Sequence, residues 1–413
     1  MTAPRTTCRF CGTPLEHVFA DLGMSPLANN YLSEEELTQA ERFYPLRAMV
    51  CHNCFLVQLE DYETPEAIFS DYAYFSSYSS SWLEHARRYS QMVIERFGLD
   101  ESSRVVEIAS NDGYLLKNFV ERGIPALGVE PAANVAEVAE QNGVPTLVKF
   151  FGQETARELA ADPGPANLIV GNNVLAHVPD LNDFVGGMKT LLAPGGVITM
   201  EFPHLWHLIE DNEFDTIYHE HFSYLSWLTV SKVFEAHDLT LFDVEELPTH
   251  GGSLRIFAQH SEDDAKPLTE RAHEMAERER EAGYEQLDTY VGYAETVKQA
   301  KWDLVNFLIA EKREGKRIAA YGAPAKGNTL LNYCGIRTDL IDFTADLSPH
   351  KQGRYLPGTH IPILAPEAIA EAKPDLVLIL PWDLKDEIVE QLSFVREWGG
   401  QFVVRAPKLA VLP

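Results

Sequence analysis

Apolar residues along this chain keep two different periods, and the switch between them divides it into sections. From residue 104 onward, short apolar runs bounded by turn residues alternate with amphipathic stretches of helical spacing. Val105-Val-Glu-Ile108 opens the series as a strand, and 114–122 follows as a helix. Strands at 125–130, 167–171 and 196–202 alternate with helices at 132–142 and 181–192. A helix at 227–237 and strands at 240–244 and 253–257 close it. Such β-α alternation predicts a mainly parallel, doubly wound sheet over residues 71–265. Residues 266–315 are polar and poor in glycine, with Leu287, Tyr290, Val291, Val297 and Phe307 near helical spacing, so they read as a helical connector. Arg317-Ile-Ala-Ala-Tyr-Gly322 starts a second α/β unit over 316–413, with further strands expected at 340–343, 376–380 and 402–405. At the other end, residues 1–70 carry only short strands, at 44–51 and 56–59. The aromatic and hydroxyl-rich run 72–82 then leads into a helix over 82–97.

A first module so small buries little core and needs a staple. Cysteines supply one. Cys8-Arg-Phe-Cys11 and Cys51-His-Asn-Cys54 are two C-x-x-C pairs with 39 residues between them, and Cys334 stands alone. Each pair offers two thiolates from one tight turn, and two pairs complete a tetrahedron around a structural zinc ion. The spacer is longer than the usual ~15–20 residues, which implies an insertion.

Charge narrows the partners. A formal net charge of −28 in 413 residues disfavours nucleic acid, which rewards clustered Lys and Arg. An anionic ligand would need backbone amides and a few local cations. No apolar run approaches the ~20 residues that span a bilayer, and the first residues lack the apolar segment of a signal peptide, so a cytoplasmic protein with no membrane partner is expected.

The loop after the first strand of the series carries the cofactor chemistry. Glu107-Ile-Ala-Ser-Asn-Asp-Gly113 lies where ligands bind in open α/β sheets, at a strand's carboxyl end. It lacks the G-x-G-x-x-G that cradles a pyrophosphate. Glu130 stands 23 residues beyond Glu107, where an acid accepts hydrogen bonds from ribose hydroxyls. Ala109, Ser110 and Gly113 allow close backbone approach, and Asn111 is a further cofactor-binding candidate. Phe151 follows the third strand, where an adenine would lie, and Asn172-Asn173-Val174 follows the fourth, beside a methyl group. Their order predicts a class I methyltransferase fold binding S-adenosylmethionine.

Tyr218-His219-Glu220-His221 concentrates two imidazoles, a carboxylate and a phenol in four positions. That density suits acid–base work, since histidine titrates near neutrality and a carboxylate can orient it. Tyr321-Gly-Ala-Pro-Ala-Lys-Gly-Asn-Thr329 follows a strand and opens a helix, so amides and the helix dipole face an anion and Lys326 adds charge.

The four-cysteine module, the E-x-A-S-N-D-G loop, N-N-V-L-A-H, Y-H-E-H-F-S-Y and Y-G-A-P-A-K-G-N-T together resemble, nearly end to end, the sugar C-methyltransferases acting on dTDP-linked 4-keto deoxysugars. The resemblance implies that the C-terminal unit holds the dTDP-sugar substrate, through Tyr321, Ala323, Lys326, Asn328, Thr329 and Asn332. It carries the base onto His221, with Tyr218 and His177 as hydrogen-bond donors, Glu220 orienting the imidazole and Tyr72 reaching in from the linker. A ketone at C4 acidifies the C3–H, so base-assisted enolate formation and methylation at C3 form the expected reaction. An O- or N-methyltransferase, a sugar 3-epimerase and a non-catalytic zinc- and nucleotide-binding module are the competing readings.

Overall fold

The computed structural model describes residues 6–62, 76–78, 80–263 and 265–412. Tyr72 lies outside them. Seven strands form the central sheet in the order Leu239–Leu247, Ser253–His260, Leu192–Pro203, Ala166–Asn172, Val105–Ile108, Ala126–Val129 and Thr146–Leu147. Ser253–His260 runs antiparallel to both neighbours, while the five strands from Leu192–Pro203 to Thr146–Leu147 are parallel. Every residue of Val105–Ile108 is buried, as a strand covered on both faces requires. The order reverses at this strand, which places a crevice beside its carboxyl end.

The first module is a four-stranded antiparallel sheet, and its composition was not foreseen. His17–Ser25, Tyr44–Val50 and Val57–Leu59 are joined by Ser223–Tyr224, which arrives from the methyltransferase region. The segment carrying Tyr218 to His221 therefore leads directly into the zinc module's sheet. Arg9, 3% exposed, adds a bond to the Pro179 carbonyl at 2.7 Å and to Leu59 at 2.7 Å.

The connector consists of Glu270–Glu281, Leu287–Val291 and Tyr293–Arg313, and it is packed rather than free. Tyr293 stacks on Phe19 of the zinc module at 4.7 Å, and its hydroxyl donates to Leu208 at 2.9 Å. Glu279, fully buried, accepts the amides of Trp227 and Leu228 at 2.7 and 2.9 Å. It caps the helix Trp227–Glu235, where orphan amides and the dipole favour an anion. His204 bonds the same carboxylate at 2.7 Å, which gives that histidine its structural partner.

The last unit is a six-stranded sheet ordered Ile363–Leu364, Thr344–Ala345, Ile318–Tyr321, Leu376–Ile379, Gln401–Val404, Ala410–Leu412, with the last strand antiparallel. The strand expected at 340–343 is assigned only at Thr344–Ala345: a turn occupies 338–340, and Asp342 and Phe343 then already bond the backbone of Ile318–Tyr321. The helix expected at 114–122 is a single turn, Lys117–Val120, within a series of turns. One apolar core runs from Phe19 and Val57 through Ile108 and Met200 to Ile318 and Leu378, so the units share an interior. No described helix is long and apolar enough to cross a membrane.

Candidate active site

The four cysteines meet. Cys8 and Cys54 sulfurs lie 3.5 Å apart, as do those of Cys11 and Cys51, and Cys11 and Cys54 are 3.6 Å apart. Sulfurs tetrahedrally placed ~2.3 Å from zinc would stand at close to this spacing. The two turns are built alike. Gly12 and Phe55, each following the second cysteine of its pair, have φ of 73° and 65°, and each returns its amide to the first cysteine. The donor set and its geometry fit structural zinc.

At the crevice, the loop after Val105–Ile108 turns through left-handed backbone at Ala109 (φ 57°) and Asn111 (φ 50°). The neighbouring loop does so at Asn173 (φ 54°). Non-glycine residues there store strain and cluster at functional sites. Glu130 accepts the amides of Asn111 and Ala132, each at 2.9 Å, leaving further acceptor capacity on both oxygens. One Glu107 oxygen and the Ser110 hydroxyl are buried with no hydrogen-bond partner among the described residues. Burial, reinforced by Glu130 and Asp112, pushes the Glu107 carboxyl well above the usual carboxylate range. At Gly113, a Cβ would come within 2.9 Å of Val144. The unmet polar atoms of this loop fit a polar ligand such as S-adenosylmethionine, for which Glu107, Ala109, Asn111, Gly113 and Glu130 are the candidate residues, while Gly113 is required by its packing on Val144. Asn172, Asn173 and Val174 end the next strand and begin the loop beyond it. Phe151 lies further out, packing edge-on against Phe184.

The second group of candidate residues is a histidine cluster. His221 Nδ1 is 2.8 Å from the Thr216 carbonyl. A carbonyl only accepts, so Nδ1 carries the proton and Nε2 presents a lone pair. Tyr218 packs on the imidazole at 4.0 Å between centroids, and His177 meets it edge-on at 4.7 Å. Burial, then His177, hold His221 well below the usual imidazole range, and burial brings His177 down to about 4. Both rings are therefore neutral near pH 7.

Glu220 does not orient His221. That task falls to the Thr216 carbonyl, while the Glu220 carboxylate accepts from Asn29 of the zinc module at 2.6 Å. Its backbone bonds the His177 ring. Burial raises the Glu220 carboxyl to about 7. His219 faces away, with Nε2 3.1 Å from the Pro45 carbonyl.

His250 joins the site without having been singled out. It sits at φ 55° in Thr249-His-Gly-Gly252, between two strands, with Nε2 2.9 Å from the Asn173 amide and its ring edge-on to Trp82. Its turn is held tightly: a Cβ on Gly251 would fall 2.3 Å from Glu213 and 2.6 Å from Trp382. A histidine followed by two glycines was the available signal.

The C-terminal turn closes the far wall. Lys326 pairs with Asp383 at 2.6 Å and lies 4.3 Å over the Trp382 ring. Its charge adds, after burial, to the depressed pKa of His250 and, as a small contribution, of His221. The amides expected to contact substrate are committed elsewhere. Asn328 is 1% exposed and donates to the Ala28 carbonyl, and Asn332 donates to Asn328 and Pro357 at 2.9 and 3.0 Å. Thr329 is buried on its own helix and Tyr321 is buried in the core. Ala323 gives its amide to Asp346 at 2.7 Å.

Three family models tile the chain: a zinc binding domain over residues 8–69, a methyltransferase domain over 82–244 and a C-methyltransferase C-terminal domain over 248–407. The chain is 37% identical to the C-methyltransferase NovU of Streptomyces niveus over 409 residues, 99% of this chain and 97% of that one. The ubiquinone biosynthesis O-methyltransferase of Cupriavidus pinatubonensis aligns over 95 residues only, at 28% identity, covering 22% of this chain and 38% of that enzyme. Among solved structures, the PH0226 protein of Pyrococcus horikoshii covers 48% of this chain and 99% of its own, at 14% identity and a TM-score of 0.38. Magnesium protoporphyrin IX methyltransferase of Synechocystis, solved with bound S-adenosylmethionine, covers 43% and 78%, at 12% identity and a TM-score of 0.33. With its zinc-binding module, methyltransferase sheet and C-terminal domain matched in order and its full length aligned, the chain belongs to the S-adenosylmethionine-dependent C-methyltransferases.

Proposed function

We propose that the substrate is a dTDP-linked 4-keto deoxysugar, methylated at C3, with His221 as the base. The observation that carries this reading is the His221 hydrogen bond to the Thr216 carbonyl, which leaves Nε2 unprotonated on a buried ring packed against Tyr218 and His177. Carbon becomes a nucleophile only after a proton leaves it. His221 Nε2 takes that proton from the carbon beside the ketone, and Tyr218 donates a hydrogen bond to the oxyanion that develops at O4, while the neutral His177, whose ring bonds the Glu220 backbone, packs against His221. S-adenosylmethionine, when bound at the Glu107 loop, supplies the electrophilic methyl group.

Binding at the nucleotide end rests on the start of the helix Ala325–Cys334. Its first-turn amides have no intrahelical acceptor, and Lys326 stands among them. A diphosphate would draw Lys326 away from Asp383. Tyr321, Ala323, Thr329 and Asn332 frame this turn, while Asn328 supports it from behind. The deciding experiment incubates the enzyme with labelled methyl donor and a panel of dTDP-4-keto sugars. Label at C3 of one of them is the expected outcome. Label on an oxygen, a nitrogen or C5, or on none of the panel, refutes the assignment.

A further inference from the structure

The zinc module touches the catalytic segment through more than its sheet, and one contact reaches a titratable group. Asn29 Nδ2 donates to Glu220 Oε1 at 2.6 Å. Two residues on, the Tyr31 hydroxyl donates to the Ala323 carbonyl at 2.6 Å and lies 3.2 Å from Asn29 Oδ1. Lys351 donates to the same carbonyl at 3.0 Å. The loop is fastened on both sides: the Ala28 carbonyl accepts from Asn328 at 2.5 Å, and Glu41 accepts the Gly358 amide at 2.7 Å and pairs with His360 at 3.0 Å. A zinc-module loop thus bridges the turn of the C-terminal unit and the segment that carries His221.

We propose that Asn29 is a positioning residue for catalysis: its side-chain amide holds the Glu220 side chain and so fixes the Tyr218–His221 segment, while Tyr31 ties this contact to the C-terminal turn. This rests on the methyl-transfer reading for its catalytic consequence. The physical chain is short. Glu220 is anchored at its side chain by Asn29 and at its backbone by His177, and the next residue is His221. The groups facing the carboxyl are Asn29 and Tyr31 from the zinc module, and the His177 ring, from the loop after Ala166–Asn172, bonds its backbone, while His219 next to it turns away to Pro45. Asp346 and Lys351 lie behind Tyr31. Burial raises the Glu220 carboxyl, and Asn29 pulls it back down. Removing the donor leaves burial unopposed, so the carboxyl must rise further and protonate at higher pH.

Full-length, zinc-loaded protein tests this through Asn29→Asp, which keeps the shape and loses the donor, with Tyr31→Phe beside it. Carbon-13 glutamate labelling follows the Glu220 titration directly, with Glu220→Gln assigning the signal. In Asn29→Asp the titration should move up by about one pH unit or more, and the Nδ1–H resonance of His221 should broaden. The acidic limb of kcat/KM should move with it, costing about tenfold in rate per unit below the limb, while S-adenosylmethionine affinity and zinc content hold. Tyr31→Phe should give a smaller shift in the same direction. An unmoved Glu220 titration in Asn29→Asp overturns the proposal, and so does a moved titration with an unmoved acidic limb. If the wild-type protein methylates no 4-keto sugar, the substrate reading falls. The titration and the His221 resonance then still decide whether Asn29 positions this segment.

Discussion

The methyltransferase unit and the C-terminal unit both turn sharply after the first strand of a doubly wound sheet, yet the two turns meet their polar groups differently. After Val105–Ile108, left-handed residues at 109 and 111 coexist with a Glu107 oxygen and a Ser110 hydroxyl that no described protein group satisfies. After Ile318–Tyr321, the Ala323 amide is held by Asp346, its carbonyl by Tyr31 and Lys351, Lys326 by Asp383 and Asn328 by Ala28. A buried polar group left unpaired costs ~1–3 kcal/mol, so the first turn retains a standing tension that a polar ligand would relieve. In the second, Lys326 and the Ala323 amide and carbonyl are paired, although the Tyr321 hydroxyl and the Asn328 Oδ1 are buried without a hydrogen-bond partner among the described residues, so a ligand there would exchange Lys326 away from Asp383. Two turns at the same place in related sheets thus differ, and at the second the local cation is already paired.

The largest test separates chemistry from both turns. His221→Gln should lower turnover by about 10²–10⁴-fold, as loss of a positioned base does. Binding of S-adenosylmethionine and of the nucleotide sugar, followed by calorimetry, should persist. Loss of either affinity along with rate would place His221 in a binding turn instead of between the two.

Next in size, Lys326→Met should raise KM for the nucleotide sugar by about tenfold to a hundredfold, as expected for one charge-assisted phosphate contact, and leave S-adenosylmethionine affinity unchanged. It also strands Asp383, which is mostly buried. Lys326→Met combined with Asp383→Asn should therefore be more thermally stable than Lys326→Met alone, because an unpaired buried charge is costly. Equal melting temperatures would mean that the pair contributes nothing to this turn.

Gly113→Ala probes the other turn. With φ at 78° and Val144 2.9 Å from the new Cβ, it should destabilise the protein by about 1–3 kcal/mol and weaken S-adenosylmethionine binding, with the nucleotide end unaffected. Chemical denaturation and paired titrations of the two ligands measure this. Equal weakening of both would show that the turns are not independent.

The smallest effect lies at the seam. Burial, with Asp215 adding, raises the Glu213 carboxyl from 4.5 to about 8. A raised folded-state pKa gives stability that is complete below the unfolded value and lost as pH climbs through the folded one. Glu213→Gln should therefore match the wild type at about pH 4.5 and exceed its melting temperature by a few degrees above about pH 8. An unchanged difference across that window would mean that Glu213 ionises freely at the seam.

Residue order alone carried the sheet architecture, the metal site and the cofactor loop. A strand's period, a C-x-x-C turn and an acid at a strand end are set by a few consecutive residues, whose backbone geometry and chemistry depend little on the rest of the chain. Cys8, Cys11, Cys51 and Cys54 converge because each pair makes its own turn, and Glu107 and Glu130 end neighbouring strands of a sheet that the β-α alternation requires. Tertiary structure alone decided who completes the site. Asn29 reaches Glu220 across 191 positions, and Asn328 reaches Ala28 across 300. Thr216, not Glu220, orients His221, because the chain bends back on itself after the turn Phe214–Thr216 and brings a carbonyl under the ring. His250 enters only because Ser253–His260 packs beside Leu192–Pro203. Such contacts depend on how separate apolar faces bury one another, and no local spacing records which faces will meet.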